Sequence, residues 1–71
     1  MYIHEAIELA MKNSCYMRLR EEHLENYYFK PTNGPDCIIV LNINSDNPRP
    51  YPMWNPKADD LTSDKWELYK R

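Results

Sequence analysis

The sequence predicts a small α+β domain, a short N-terminal helix packed on a small antiparallel β-sheet. Three observations carry that prediction. Apolar residues recur at three- and four-residue spacings up to Met11, and the period falls to two from Cys15. The later apolar runs are short and separated by turn residues. One helix followed by antiparallel strands is an α+β arrangement.

The helix is expected over Ile3 to Met11. Ile3, Ala6, Ile7, Ala10 and Met11 share one face, and Glu5, Glu8 and Lys12 lie on the other. Acidic residues near its start and a lysine near its end suit the helix dipole. Asn13 is expected as the left-handed residue that stops it.

A first strand follows, in which Cys15, Met17 and Leu19 alternate with Tyr16, Arg18 and Arg20. The run from Arg20 to Asn26 breaks the alternation and reads as a charged connection. Tyr27-Tyr28-Phe29 supplies a second strand. The turn from Lys30 to Asp36 has Asn33-Gly34 at its tip, and Gly34, the only glycine, is expected in a conformation that other residues resist. Cys37 to Ile43 is the strongest strand signal. It is apolar on both faces and is expected at the centre of the sheet, covered on one side by the helix.

Ser45 to Pro56 holds four of the six prolines, which forbid a regular central strand and stiffen the loop. Asp59 or Asp60 can cap a helical turn through Leu61 to Ser63. Trp66-Glu67-Leu68-Tyr69 closes the sequence as a last strand, with Trp66 in the core. No repeat, low-complexity tract or domain boundary interrupts residues 1–71, so one domain is expected.

A chain of 71 residues makes a thin core. A domain of this size buries only about 60% of the surface its unfolded chain exposes. The nine aromatics offset part of that deficit, and oligomerisation is the expected source of the rest. Cys15 and Cys37 lie in apolar contexts with no metal or redox spacing, and read as buried free thiols of a reducing cytoplasm. The N-terminus lacks the pattern of a signal peptide, and no apolar run approaches the roughly 20 residues of a membrane span. A soluble intracellular protein is expected. The net charge of −2 speaks against a general nucleic-acid binder but leaves room for a small anion held by a few arginines.

Catalysis has little support in the sequence. His4 and His23 are the only histidines, and neither has an evident nucleophile; surface histidines are the plainer reading. No Cys, His or acidic cluster has metal-ligand spacing, and one glycine cannot build a phosphate loop. No catalytic residue, metal or cofactor is expected. Aromatics beside arginines form a more informative set. Tyr16, Arg18 and Arg20 share one strand face, and Tyr27, Tyr28, Arg49, Tyr51 and Trp54 can lie near it. Flat rings suit a purine, and the guanidinium fork suits a phosphate. The plainer reading is that the tyrosines thicken the core while the arginines are solvated.

The stretch from Trp54 to Trp66 decides between these readings by likeness. Trp54, Pro56, Asp60, Leu61 and Trp66, with Glu5-Ala6-Ile7 in the helix and Met17-Arg18-Leu19-Arg20 in the basic strand, resemble a phage and prophage family, the second type of Thoeris anti-defence proteins. Asn13 stands where that family commonly has a glycine, and Lys57 and Lys65 stand where it usually has a serine and an acidic residue. The resemblance implies a sponge in the host bacterial cytoplasm that binds a cyclic nucleotide immune signal without cleaving it. The signal would be a glycocyclic ADP-ribose or a cyclic oligonucleotide. It also implies a homo-oligomer, commonly a tetramer, with ligand at subunit interfaces.

On that reading Trp54 is expected to stack on a base, Arg18 and Arg49 to hold phosphates, and Asn55 and Asp60 to reach ribose or base edges. Arg20 and Tyr28 complete the expected set, and Asp60 has a competing role as helix cap. Trp54→Ala is expected to abolish binding without unfolding, and Trp66→Ala to unfold the domain. The alternative from another class is a small protein-binding inhibitor of a host defence enzyme. A hydrolase of the signal is the weaker third.

Overall fold

A computed structural model of the chain describes residues 1–45 and 49–70. Helix α1 (Ile3–Lys12) leads into strand β1 (Tyr16–Leu19), a 3-10 turn (Glu22–Leu24) and strands β2 (Tyr27–Pro31) and β3 (Ile38–Asn42). A short helix α2 (Ala58–Thr62) and strand β4 (Trp66–Tyr69) complete the order. The four strands form one antiparallel sheet in the order β3-β2-β1-β4. The α+β architecture expected from periodicity is the one observed. Among the described residues no helix is long and apolar enough to cross a membrane.

Helix α1 buries Ile3, Ala6 and Ala10 and half-buries Ile7, most of the stripe that its spacing predicts, while Met11 at its end is exposed. Its first turn is fixed by Glu5, whose carboxylate accepts the Tyr2 N–H at 2.9 Å. Its end differs from expectation by one residue. Asn13 keeps φ at −101°, and the left-handed residue is Ser14 with φ 53°. The cause is the hydrogen-bond closure. Asn13 donates to the Leu9 carbonyl from its backbone N–H and again from its side-chain amide, at 3.0 and 2.9 Å. The Cys15 N–H then reaches the Ala10 carbonyl at 3.0 Å, which is the six-to-one bond of a Schellman turn.

Strand register separates two faces. Met17 lies opposite Phe29 and Leu68, Phe29 opposite Val40, and Leu19 opposite Trp66. Met17, Leu19, Phe29 and Trp66 point toward α1 and are essentially inaccessible to solvent, as alternation requires. The other face carries Tyr16, Arg18, Tyr28, Ile39, Leu41, Glu67 and Tyr69, the residues that alternate with these.

Strand β3 is at an edge, not at the centre, and all five of its residues are half-buried. Its apolar character has another origin. Ile38 and Val40 pack on the core, while Ile39 and Leu41 lie on the face away from α1. Its outer edge is covered by the proline-rich stretch, of which residues 46–48 lie outside the described residues. Val40 and Tyr51 exchange backbone bonds of 2.8 and 3.0 Å, and the Trp54 N–H donates to the Ile38 carbonyl at 2.9 Å. Among the described residues of this stretch the pairing with β3 is an isolated bridge rather than a regular strand, in keeping with the prolines.

Three further local expectations are corrected. No glycine has positive φ; in the turn before β3 the left-handed residue is Cys37, with φ 57°. Its N–H closes onto the Gly34 carbonyl at 3.1 Å, while the Thr32 N–H and hydroxyl both donate to its carbonyl, at 2.9 and 2.7 Å. Those three bonds fix Cys37 where Gly34 had been expected to bend. Cys37 is consequently exposed and Cys15 half-buried, so neither is a fully buried thiol, and both are free. Helix α2 starts after Lys57, and Asp60 is its third residue. The Asp60 carboxylate reaches back to accept the Lys57 N–H at 2.9 Å, so it fixes the helix start from within the first turn.

Candidate functional site

Trp54 packs against the core. After Met53, which has φ 56°, the chain turns over the end of β3 and lays the Trp54 indole on Phe29, with ring centres 4.4 Å apart. Trp66 lies edge-on to both, at 5.5 Å from Phe29 and 5.8 Å from Trp54. Trp54 is half-buried in this cluster and is not a free platform on a loop. Both tryptophans therefore pack in the aromatic cluster, Trp66 wholly and Trp54 in part. Asn55, the next residue, is exposed.

Asp60 is 3% exposed, and its carboxylate is committed within the fold. One oxygen accepts the Lys57 N–H, and the other lies 2.7 Å from His23 Nε2. Its backbone carbonyl accepts the Trp66 indole N–H at 2.8 Å. Asp60 thus ties the 3-10 turn, α2 and β4 together, and at 3% exposure its carboxylate is turned into the fold and away from any ribose. His23 is exposed, as expected of a surface histidine, and what the sequence did not show is its pairing with Asp60. Its partner is 37 positions away, and no local pattern signals such a pair.

Arg18 and Tyr28 do come together, on the sheet face opposite α1. Tyr16 meets Tyr28 edge-on at 4.9 Å, Tyr28 lies 5.1 Å from Tyr69, and the Arg18 guanidinium sits 5.8 Å from the Tyr69 ring centre. Tyr28 is buried among these rings. Glu67, on the adjacent strand, faces Arg18 with Nε to Oε1 3.5 Å apart, so the cation is largely offset within the chain. Arg20 lies past the end of β1, in a broad depression of about 640 Å³ that also includes Asp64, Lys65 and Glu67.

Arg49 occupies a third place. With Tyr27, Asn42, Ser45 and Tyr51 it lines an open cleft of about 390 Å³ at the Asn42 end of β3. The bridge to Val40 brings Tyr51 there, and pairing with Asn42 brings Tyr27. Tyr51 is 62% exposed, and Arg49 has no ion-pair partner among the described residues. A guanidinium and two tyrosines lining one cleft offer a fork for phosphate and flat apolar surface for a base. Among the described residues Arg20 and Arg49 both lack an ion-pair partner, but Arg49 shares its cleft with two tyrosines and no charged side chain, whereas Arg20 shares its depression with Asp64, Lys65, Glu67 and the 1% exposed Trp66. Among the described residues no group of three or more His, Cys, Asp or Glu side chains could hold a metal ion.

No family model, characterised protein or solved structure matches this chain. The likeness at Trp54 to Trp66 therefore rests on the residues quoted for it.

Proposed function

We propose that the protein is a non-enzymatic sponge that sequesters a cyclic nucleotide immune signal, glycocyclic ADP-ribose or a cyclic oligonucleotide, in the cytoplasm of an infected bacterium. The observation that carries the reading is the cleft lined by Arg49, Tyr27 and Tyr51, in which Arg49 has no ion-pair partner among the described residues. Its volume falls within the roughly 300–1,000 Å³ common for small-molecule sites. The family resemblance supplies the identity of the ligand and the absence of cleavage.

Sequestration requires tight binding, and nanomolar affinity corresponds to about −12 kcal/mol. Stacking contributes roughly 1–3 kcal/mol per base, and a charge-assisted bond to phosphate about 1.5–3 kcal/mol. Two tyrosines and one arginine therefore fall short of the total. A ligand carrying two phosphates and shared between two clefts would make up the difference. This supports a homo-oligomer in which copies hold one ligand jointly.

The test is to incubate the protein with a panel of cyclic nucleotides, remove free ligand by filtration, and heat the retained fraction. A sponge releases unchanged ligand. Altered product would replace the sponge by a hydrolase, and no retained nucleotide would favour a protein-binding inhibitor of a defence enzyme.

A further inference from the structure

We propose that Asn42 is a second phosphate donor of the Arg49 cleft, its side-chain amide nitrogen joining the Arg49 guanidinium on the ligand. The proposal rests on the cleft being the nucleotide site, and it adds a residue that no sequence pattern marked.

The orientation of one amide carries the argument. Asn42 is the last residue of β3 and lies opposite Tyr27, so the two side chains share a face of the sheet, and both residues line the cleft. The Asn44 N–H donates to Asn42 Oδ1 at 2.8 Å. A backbone N–H can only donate, so the oxygen end of the amide faces Asn44 and Nδ2, with its two N–H donors, is the other end. The turn that holds Asn44 is itself fixed on β2. The Asn44 side-chain amide donates to Asn26 Oδ1 at 3.1 Å, and the Ile43 N–H donates to the Asn26 carbonyl at 2.8 Å. Asn42 Nδ2 meets no acceptor among the described residues.

The cleft is therefore biased toward donors. Arg49 has N–H donors and no acceptor, Asn42 presents its NH2 group, and no carboxylate lines the cleft among the described residues. The matching group brings acceptors without donors and carries negative charge, as a phosphate does. An adenine edge matches less well, because its bidentate pairing with asparagine uses both ends of the amide, and here the oxygen end is turned to Asn44. Tyr27 and Tyr51 remain for the base. The competing role of Asn42 is to hold the turn alone, and it makes the opposite prediction for variants that keep the oxygen.

The test is calorimetric titration of wild type, Asn42→Ser and Asn42→Asp with glycocyclic ADP-ribose, cyclic di-AMP and cyclic di-GMP, all of which carry phosphate. Both variants keep an oxygen that can accept the Asn44 N–H, so their thermal midpoints should stay close to wild type. Asn42→Ser lacks the amide donor and should bind about tenfold more weakly. Asn42→Asp also sets a like charge beside the phosphate and should bind about a hundredfold more weakly. Folded variants that bind as wild type does would confine Asn42 to the turn, which overturns the proposal and leaves the cleft reading intact. Equal losses in the two variants place the amide on an uncharged part of the ligand and overturn it too. Wild type that binds no member of the panel overturns both readings. If Asn42→Asp unfolds, Asn42→Ser decides: a tenfold loss supports the proposal and wild-type affinity overturns it.

Discussion

Asp60 joins three elements through its two carboxylate oxygens and its carbonyl, and His23 supplies one of the donors. His23→Ala removes that donor and leaves a buried acceptor half satisfied. A loss of about 1–3 kcal/mol is expected, read as a lower urea midpoint at unchanged slope; an unaltered midpoint would show that the pair does not form. Trp54→Ala opens a gap beside Phe29 and Trp66. It should cost about 2–4 kcal/mol, somewhat less than a fully buried tryptophan. That outcome replaces the expectation that Trp54 could be removed without harm to the fold, and equal thermal midpoints for wild type and variant would restore it. Loop position alone suggested that Trp54 was free. The backbone bond to Ile38 that turns its ring inward comes from a strand 16 residues earlier.

Elements were legible in proportion to how local their causes are. The stripe of Ile3, Ala6 and Ala10 and the alternation of Met17 and Leu19 are short-range patterns, and both survive in the structure. The rank of β3 in the sheet is not a local property. Its apolar run reads like a doubly covered central strand, but the shield over its edge is the Tyr51–Trp54 backbone. Left-handed residues were displaced for a similar reason. Hydrogen-bond closure, not side-chain preference, placed them at Ser14 and Cys37. Ser14→Gly should therefore raise stability by about 0.5–1 kcal/mol, since glycine adopts positive φ without a Cβ penalty and its extra unfolded-state freedom offsets only part of the gain. Thermal unfolding of that variant checks the Schellman geometry directly, and a lower midpoint would contradict it.

At the scale of the molecule, the three arginines expected around one pocket occupy three places. Arg18 faces Glu67 on the sheet surface, Arg20 lies beyond the end of β1, and Arg49 stands in the cleft beside Tyr27 and Tyr51. Alternation correctly put Arg18 on the polar face of β1. The strand order and the path of the chain after β3, which decide what each arginine meets, depend on contacts remote in sequence. Aromatic–arginine composition thus indicated the type of chemistry but only part of the geometry. The proposed role that results is testable: Arg49, the arginine in the cleft with two tyrosines, for the ligand. Calorimetric titration of wild type and Arg49→Ala with the cyclic nucleotide panel tests the central claim most directly. The account predicts submicromolar binding of at least one member by wild type and a loss of about 1.5–3 kcal/mol per phosphate contact, roughly ten- to a hundredfold, in the variant. Binding of equal strength by both proteins, or by neither, would contradict it.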